Sequence, residues 1–299
     1  MEQNFFHLFS CLFLLFLLNP FFVLPHQPAD TPEPSALDFL KNLVGTQKGN
    51  SGKGLSQLKK YLSYLGYIKT NNTNSLHEFD DSFDDTLELA IRNYQSFYKL
   101  KVNGILDSDT VALLTRPRCG VPDFANPHTT QIPNIGSYYA FVPDGSKWPP
   151  RKRSLTYSFP PGTRSEVYGA ILHATEIWST FSPFKFRYTR NYDQADIKIS
   201  FQTRNHGDGF PFDGRGGITA HAFPPTDGRL HFDGDEVFVN GVKPNAFDLQ
   251  TVGLHELGHV LGLGHSSDTS AAMYAYSDPG IRKVLAQDDI AGIRALYRS

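Results

Sequence analysis

The stretch HELGHVLGLGH, residues 255 to 265, constrains the fold more than any other. On a helix His255 and His259 stand four apart, so both imidazoles project from one face and can share one metal ion, with Glu256 beside them. Gly262 permits a positive φ, which ends the helix and lets His265 swing round as a third ligand. Three neutral imidazoles around Zn²⁺ leave a fourth position for water, the mark of a catalytic site rather than a structural one. Such an ion lowers the pKa of its water to about 7 and polarises a carbonyl. Glu256 can then take the water's proton and pass it to a leaving amine. This is peptide hydrolysis without a covalent enzyme intermediate.

The other end of the chain points to secretion. FFHLFSCLFLLFLLNPFFVL is a dense apolar run broken by Asn19 and Pro20, too short and too early for a membrane span, and reads as a signal peptide over residues 1–26. Cys11 falls inside it, which leaves Cys119 as the lone thiol of the mature chain and allows no intrachain disulfide. The formal net charge of -2 is uninformative, and no basic block, repeated aromatic platform or long Lys/Arg run argues for nucleic acid as a partner. No apolar tail follows the last helical pattern, so no C-terminal membrane anchor is expected, and a secreted monomer is the simplest reading. Asn71, in NNT, is the one N-glycosylation sequon.

Length favours one or two domains after the signal. Residues 27–36 are Pro-rich and polar, a linker; Leu55, Leu58, Leu62 and Leu65, then Phe83, Leu87, Ile91, Tyr94 and Tyr98, recur at helical spacing. A short apolar segment, Thr110 to Leu114, follows the turn VNG, which makes a small three-helix domain at about 50–115. Residues 117–150 carry seven prolines and no periodicity, an extended linker. Beyond it LTYSF, KFRY and DIKISF read as strands, and Thr163 with Glu166 as a capping box for a helix with Val167, Ala170, Ile171, Ala174, Ile177, Trp178 and Phe181 on its apolar face. Residues 202–235 are Gly-, Asp- and His-rich; helices near Asp248 to Leu261 and Gln287 to Tyr297 complete an α+β order.

HExxHxxGxxH followed by Met273, and preceded by PRCGVPD at 117–123, resembles the matrixins, the matrix metalloproteinases of the metzincin clan, from about residue 54 onward. The wording FDLQTVGLHELGHVLGLGHSS is most similar to the plant members, which lack a hemopexin propeller. The resemblance implies a metzincin catalytic domain over 138–299, with a twisted, mostly parallel five-stranded sheet and three helices, preceded by a propeptide over 27–137. It implies a zymogen in which Cys119 holds the catalytic zinc, with Arg118 and Asp123 paired to shape that loop and Met273 in a turn beneath the metal. A thiolate is a good zinc ligand, which agrees with that role. His206, Asp208, His221 and His231 form a closed set suited to structural zinc and match the family's positions for it. Asp213, Gly214, Gly216, Ile218, Asp233 and Glu236 match its main calcium site.

The implied partners are protein or peptide substrates and an activating protease cutting between about 124 and 140, since Pro150 spoils RKR at 151–153 as a furin-like site. FPPTDGRLHFD is shorter than the matching loop of the animal enzymes, which leaves a second calcium site at Asp196 and Asp227 without support. The family's proline and tyrosine after the Met are replaced by Ala275, Tyr276 and Ser277, so the P1′ preference rests on the family default of an apolar side chain. Processing is expected to bring a new N-terminal ammonium to Asp288 or Asp289. Two other readings share parts of this pattern. The first helical domain resembles peptidoglycan-binding modules, which suggests a wall-binding protein, and a metal-dependent amidase would need the zinc site but not the cysteine.

Overall fold

The computed structural model describes residues 35–69, 79–123, 138–142 and 145–297. Contacts divide the chain into Met1–Glu33 and Pro34–Ser299, and every described residue belongs to the second unit. The expected signal peptide, Cys11, Asn71 and most of the expected processing stretch lie outside the described residues.

Helices α1 (Leu55–Tyr64), α2 (Asp85–Phe97) and α3 (Ser108–Leu114) build the N-terminal part. Asp84 accepts from the Leu87 amide and Asp107 from the Thr110 amide, so each of the last two helices starts on a carboxylate cap. Their apolar stripes close on one core that takes in Leu55, Leu58, Leu62, Leu87, Ile91 and Tyr94. Lys59 is buried in this part, with its ammonium 2.8 Å from Asp80 and 2.7 Å from Asp84. The core also starts earlier than the sequence suggests. A 3₁₀ turn at Asp38–Leu43 adds Leu37, Leu40 and Leu43, a three-residue repeat too short to separate from a linker by periodicity.

The C-terminal part is a sheet with helices. Its strands are β2 (Ser154–Ser158), β3 (Lys185–Tyr188), β4 (Ile197–Gln202), β5 (Ile218–Ala222) and β6 (Arg229–Asp233), with α4 (Ser165–Phe181), α5 (Leu249–Val260) and α6 (Gln287–Tyr297). A sixth strand, β1 (Arg118–Cys119), comes from the segment after α3, giving the order β1-β5-β6-β4-β2-β3. Only β5 and β6 pair antiparallel; the other pairs are parallel. The five-stranded, mostly parallel sheet with three helices is therefore present, and β1 extends it at the β5 edge. A small parallel pair, β7 (Phe238–Val239) and β8 (Phe247–Asp248), precedes α5.

Two details depart from the sequence pattern. The capping box fails: α4 starts at Ser165 with Arg164 at the cap and no side-chain cap bond. Thr163 instead donates its hydroxyl to the Pro160 carbonyl, 2.8 Å away, because the chain turns through Gly162 at φ 88°. The second concerns β5 and β6, which lie inside the Gly-, Asp- and His-rich stretch where no strand is predicted.

Helix α5 is the axis of this part. Every residue from Leu249 to Val260 except Gln250 is buried, so α5 is enclosed on all sides. Trp178 of α4 donates its indole N–H to the Leu254 carbonyl at 2.8 Å. Gly253 lets the two helices approach, since a Cβ there would stand 2.6 Å from the end of Ile171.

Candidate active site

Helix α5 begins on Asp248, which accepts from the Thr251 amide and is itself gripped by Arg282 through two bonds of 2.9 and 2.7 Å. It ends in a Schellman motif. The Gly262 amide donates to His259 and the Leu263 amide to Gly258, with Gly262 at φ 99°. That reversal brings His265 back beneath the helix, beside His255 and His259.

The three rings are oriented by what each Nδ1 does. His255 Nδ1 lies 2.7 Å from the Ala272 carbonyl, His259 Nδ1 2.8 Å from the Leu263 carbonyl, and His265 Nδ1 2.6 Å from Oδ1 of Asp123. Each acceptor takes an N–H, so each ring carries its proton on Nδ1 and presents a lone pair at Nε2. His259 Nε2 is 3.0 Å from His255 Nε2 and 3.2 Å from His265 Nε2, and the Cys119 sulfur lies 3.4 Å from it. The four ligand atoms lie within 4.8 Å of one another and all four residues are buried. Three imidazole lone pairs and a thiol aimed at one buried point repel unless a cation lies among them, so the donor set fits zinc. Burial, then the neighbouring imidazoles, push His255 and His259 well below the ordinary histidine pKa, which keeps them neutral.

Glu256 sits beside them, fully buried, with neither carboxylate oxygen in a hydrogen bond. Burial drives its pKa up to about 8, and the nearby Cys119 thiol pulls the other way. A buried carboxylate with free lone pairs beside a cation site is the arrangement a general base needs.

Cys119 reaches the rings because β1 is pinned on both sides. The Arg118 amide donates to Gly217 and the Gly120 amide to Ala220, while the Cys119 amide donates to Ala275 and the Ser277 amide to Pro117. The segment thus lies between β5 and residues 275–277. Arg118 and Asp123 clamp the turn that follows, with guanidinium nitrogens 2.8 and 3.2 Å from the two carboxylate oxygens and both side chains out of solvent. Tyr67 and Tyr98 also donate to Asp123, at 2.7 and 3.0 Å. Burial alone would raise Asp123, but Arg118 and His265 hold it well below the usual carboxylate range.

Met273 packs under α5 at Gly258, where any Cβ would collide with its sulfur. Asp289 fixes that turn by accepting from the amides of Ala272, Met273 and Ala286 at 2.8, 3.0 and 2.7 Å. Asp288 has a different task, accepting from the Tyr138 and Tyr139 amides at 2.9 and 3.0 Å and from the Ser266 hydroxyl. The sequence treats these two aspartates as equivalent; the structure does not.

A second cluster spans the antiparallel β5 and β6 pair, where His221 and His231 face each other in register. With His206 and Asp208 they bring four ligand atoms within 4.8 Å of one another. His206 Nδ1 donates to the Arg204 carbonyl, which leaves its Nε2 lone pair directed inward, 2.7 Å from Oδ2 of Asp208. The carboxylates Asp213, Asp233 and Glu236 are looser and do not converge as tightly among the described residues. Asp213 accepts from the Ile218 amide at 2.9 Å and Glu236 from the Gly216 amide at 2.5 Å, while Oδ2 of Asp233 is buried with no partner. Gly214 turns at φ 92°, and the Gly216 carbonyl accepts from the Ser35 hydroxyl. Asp196 and Asp227 are occupied elsewhere, by Lys152 with Thr156 and by Arg229 respectively.

Comparison with known proteins places this geometry. A matrixin family model matches residues 147–298, and a model of a peptidoglycan binding domain matches residues 51–114. The chain is 48% identical over 259 residues to Metalloendoproteinase 1 of Glycine max, covering 83% of each protein. It is 41% identical over 279 residues to Metalloendoproteinase 5-MMP of Arabidopsis thaliana, covering 88% of this chain and 76% of that one. Matrix metalloproteinase-20 of Homo sapiens is 42% identical over 247 residues, 79% of this chain and 47% of its own length.

The buried Arg118–Asp123 pair generates a prediction. Removing one partner of such a pair costs roughly 3–5 kcal/mol, equivalent to a factor of 100 or more in local opening. Arg118→Ala should therefore speed alkylation of Cys119, followed by peptide mass spectrometry, by on the order of 100-fold. An unchanged rate would show that the pair does not hold the thiol in place.

Proposed function

The chain belongs to the matrixin family of metalloendopeptidases, and on that premise we propose a secreted zinc endopeptidase made as a zymogen that Cys119 keeps latent. One observation carries this reading. The Cys119 sulfur and the Nε2 atoms of His255, His259 and His265 meet at one buried point beside an unpartnered Glu256. Zinc held by those residues supplies Lewis-acid polarisation of a scissile carbonyl and a more acidic water. In the latent chain Cys119 occupies the position a water needs. Once it leaves, Glu256 would accept the water's proton and deliver it to the leaving amine.

The segment that blocks the site also covers the substrate's place. β1 lies against the β5 edge, whose backbone groups would otherwise be free for an extended peptide. Its removal therefore opens both the metal and the strand edge. A cut just before Tyr138 would put the new ammonium where the Tyr138 amide now meets Asp288, which supports Asp288 as its partner and 138 as the start of the catalytic domain. On this reading residues 27–137 are the propeptide and an activating protease makes the cut. The helical unit shares its core with Tyr274, Ala275 and Tyr276, the wall beside the cleft, which favours an inhibitory prodomain over a free wall-binding module. An apolar P1′ residue remains the preference to test against that wall.

The apolar N-terminus supports export, and no helix among the described residues is long and apolar enough to cross a membrane. Extracellular location, in the apoplast or cell wall of a plant, and glycosylation at Asn71 belong to the same reading. His206, Asp208, His221 and His231 would hold a structural zinc, and the loop from Asp213 to Ile218, with Asp233 and Glu236, a calcium ion.

Two measurements test this reading. In processed protein Glu256→Ala should lower hydrolysis of a quenched peptide with an apolar P1′ residue by at least ~10²-fold while zinc content, by mass spectrometry, stays the same. Undiminished turnover would remove Glu256 as the base.

The second concerns calcium and pH. Burial raises Asp233 to about 6 and Glu236 to about 7. Their unfolded values lie near 4, so the cation-free native state binds more protons than the unfolded chain between pH ~4 and ~7. Stability from these groups is therefore present at the acid end of that window and lost as pH rises through it. A cation replaces the missing protons, so adding calcium to depleted protein should raise Tm more at about pH 7.5 than at about pH 5. Equal gains would separate these carboxylates from calcium binding.

A further inference from the structure

An imidazole that gives a metal its Nε2 lone pair must place its Nδ1 proton somewhere, and the acceptor of that proton sets the ring's orientation and basicity. For His255 and His259 the acceptors are the backbone carbonyls of Ala272 and Leu263, both in the catalytic domain, and both remain after processing. His265 differs. Its Nδ1 is 2.6 Å from Oδ1 of Asp123, a buried carboxylate 142 residues earlier in the chain, on the propeptide. The carboxylate is held in place by Arg118 through two bonds and by the hydroxyls of Tyr67 and Tyr98.

We propose that Asp123 is a positioning residue for His265, so that the propeptide supplies the metal site with an outer carboxylate as well as a thiolate. This rests on the reading of His255, His259 and His265 as zinc ligands. An ionised acceptor makes a stronger bond than a carbonyl and makes the imidazole a better donor to the metal. The latent chain therefore grips zinc by two separate means, one direct and one through His265. Processing removes both. The third ring loses its carboxylate partner to solvent, which leaves the ion held less tightly and more electron-poor than loss of the sulfur alone would make it. Retention of metal before activation and electrophilicity after it come from the same segment.

The test separates Asp123 from the thiolate by removing the sulfur throughout. In full-length protein carrying Cys119→Ala, adding Asp123→Asn should weaken zinc binding by ~10–100-fold, measured by competition with a chromogenic chelator. A second reading needs no variant. In the zinc-loaded, unsubstituted chain the Nδ1 proton of His265 should resonate further downfield and exchange with solvent more slowly than those of His255 and His259. On processing it should lose that protection while the other two keep theirs. A merely structural Asp123 would leave the three protons alike. Zinc bound normally, with an Asn effect under twofold and no distinct His265 proton, overturns this inference alone. Failure of the unsubstituted chain to bind zinc overturns the ligand reading on which it rests.

Discussion

Four electron-pair donors directed at one buried point cannot coexist in a dry interior without positive charge among them, and most of this structure serves to put them there. Two come from one face of α5. A third depends on the chain reversing at Gly262, and the fourth arrives from a segment more than a hundred residues upstream. The supports follow from that demand. Asp248 starts α5, Trp178 ties it to α4, Asp289 fixes the turn that carries Met273, and each imidazole proton has a defined acceptor.

The N-terminal and C-terminal parts share more than a contact. Tyr274, Ala275 and Tyr276 lie within the core that α1, α2 and α3 form, and the hydroxyls of Tyr94 and Tyr276 are 2.5 Å apart. Residues 274–276 and the N-terminal helices are thus stabilised by the same aromatic packing. The Arg118 guanidinium also lies 5.2 Å from the Tyr276 ring.

Much of this was legible in the sequence because local spacing carried it. The i, i+4 pair His255 and His259, the helix-ending Gly262 and the Leu and Tyr stripes of α1 and α2 depend on periods that need no tertiary information. What escaped depended on it. ITAHA and RLHFD form strands although their alternation is hidden, because every position of the first is buried and His221 and His231 point at a shared cluster rather than at solvent. Thr163 and Glu166 fit a capping box by spacing, yet a Pro-Pro-Gly turn claims the threonine. The division of labour between Asp288 and Asp289, and the bond from His265 to Asp123, join segments far apart in the chain. No window of sequence contains both partners.

The central claim is that one segment of the chain completes the metal site and that its departure exposes it. X-ray absorption at the zinc edge, on full-length protein and on protein cut near Tyr138, addresses it most directly. Zymogen spectra should contain a sulfur shell at about 2.3 Å with nitrogen at about 2.0–2.1 Å from the catalytic site, and processing should remove the sulfur and leave the nitrogen. A zymogen spectrum without sulfur, or one in which sulfur persists after the propeptide has been separated, would contradict the account.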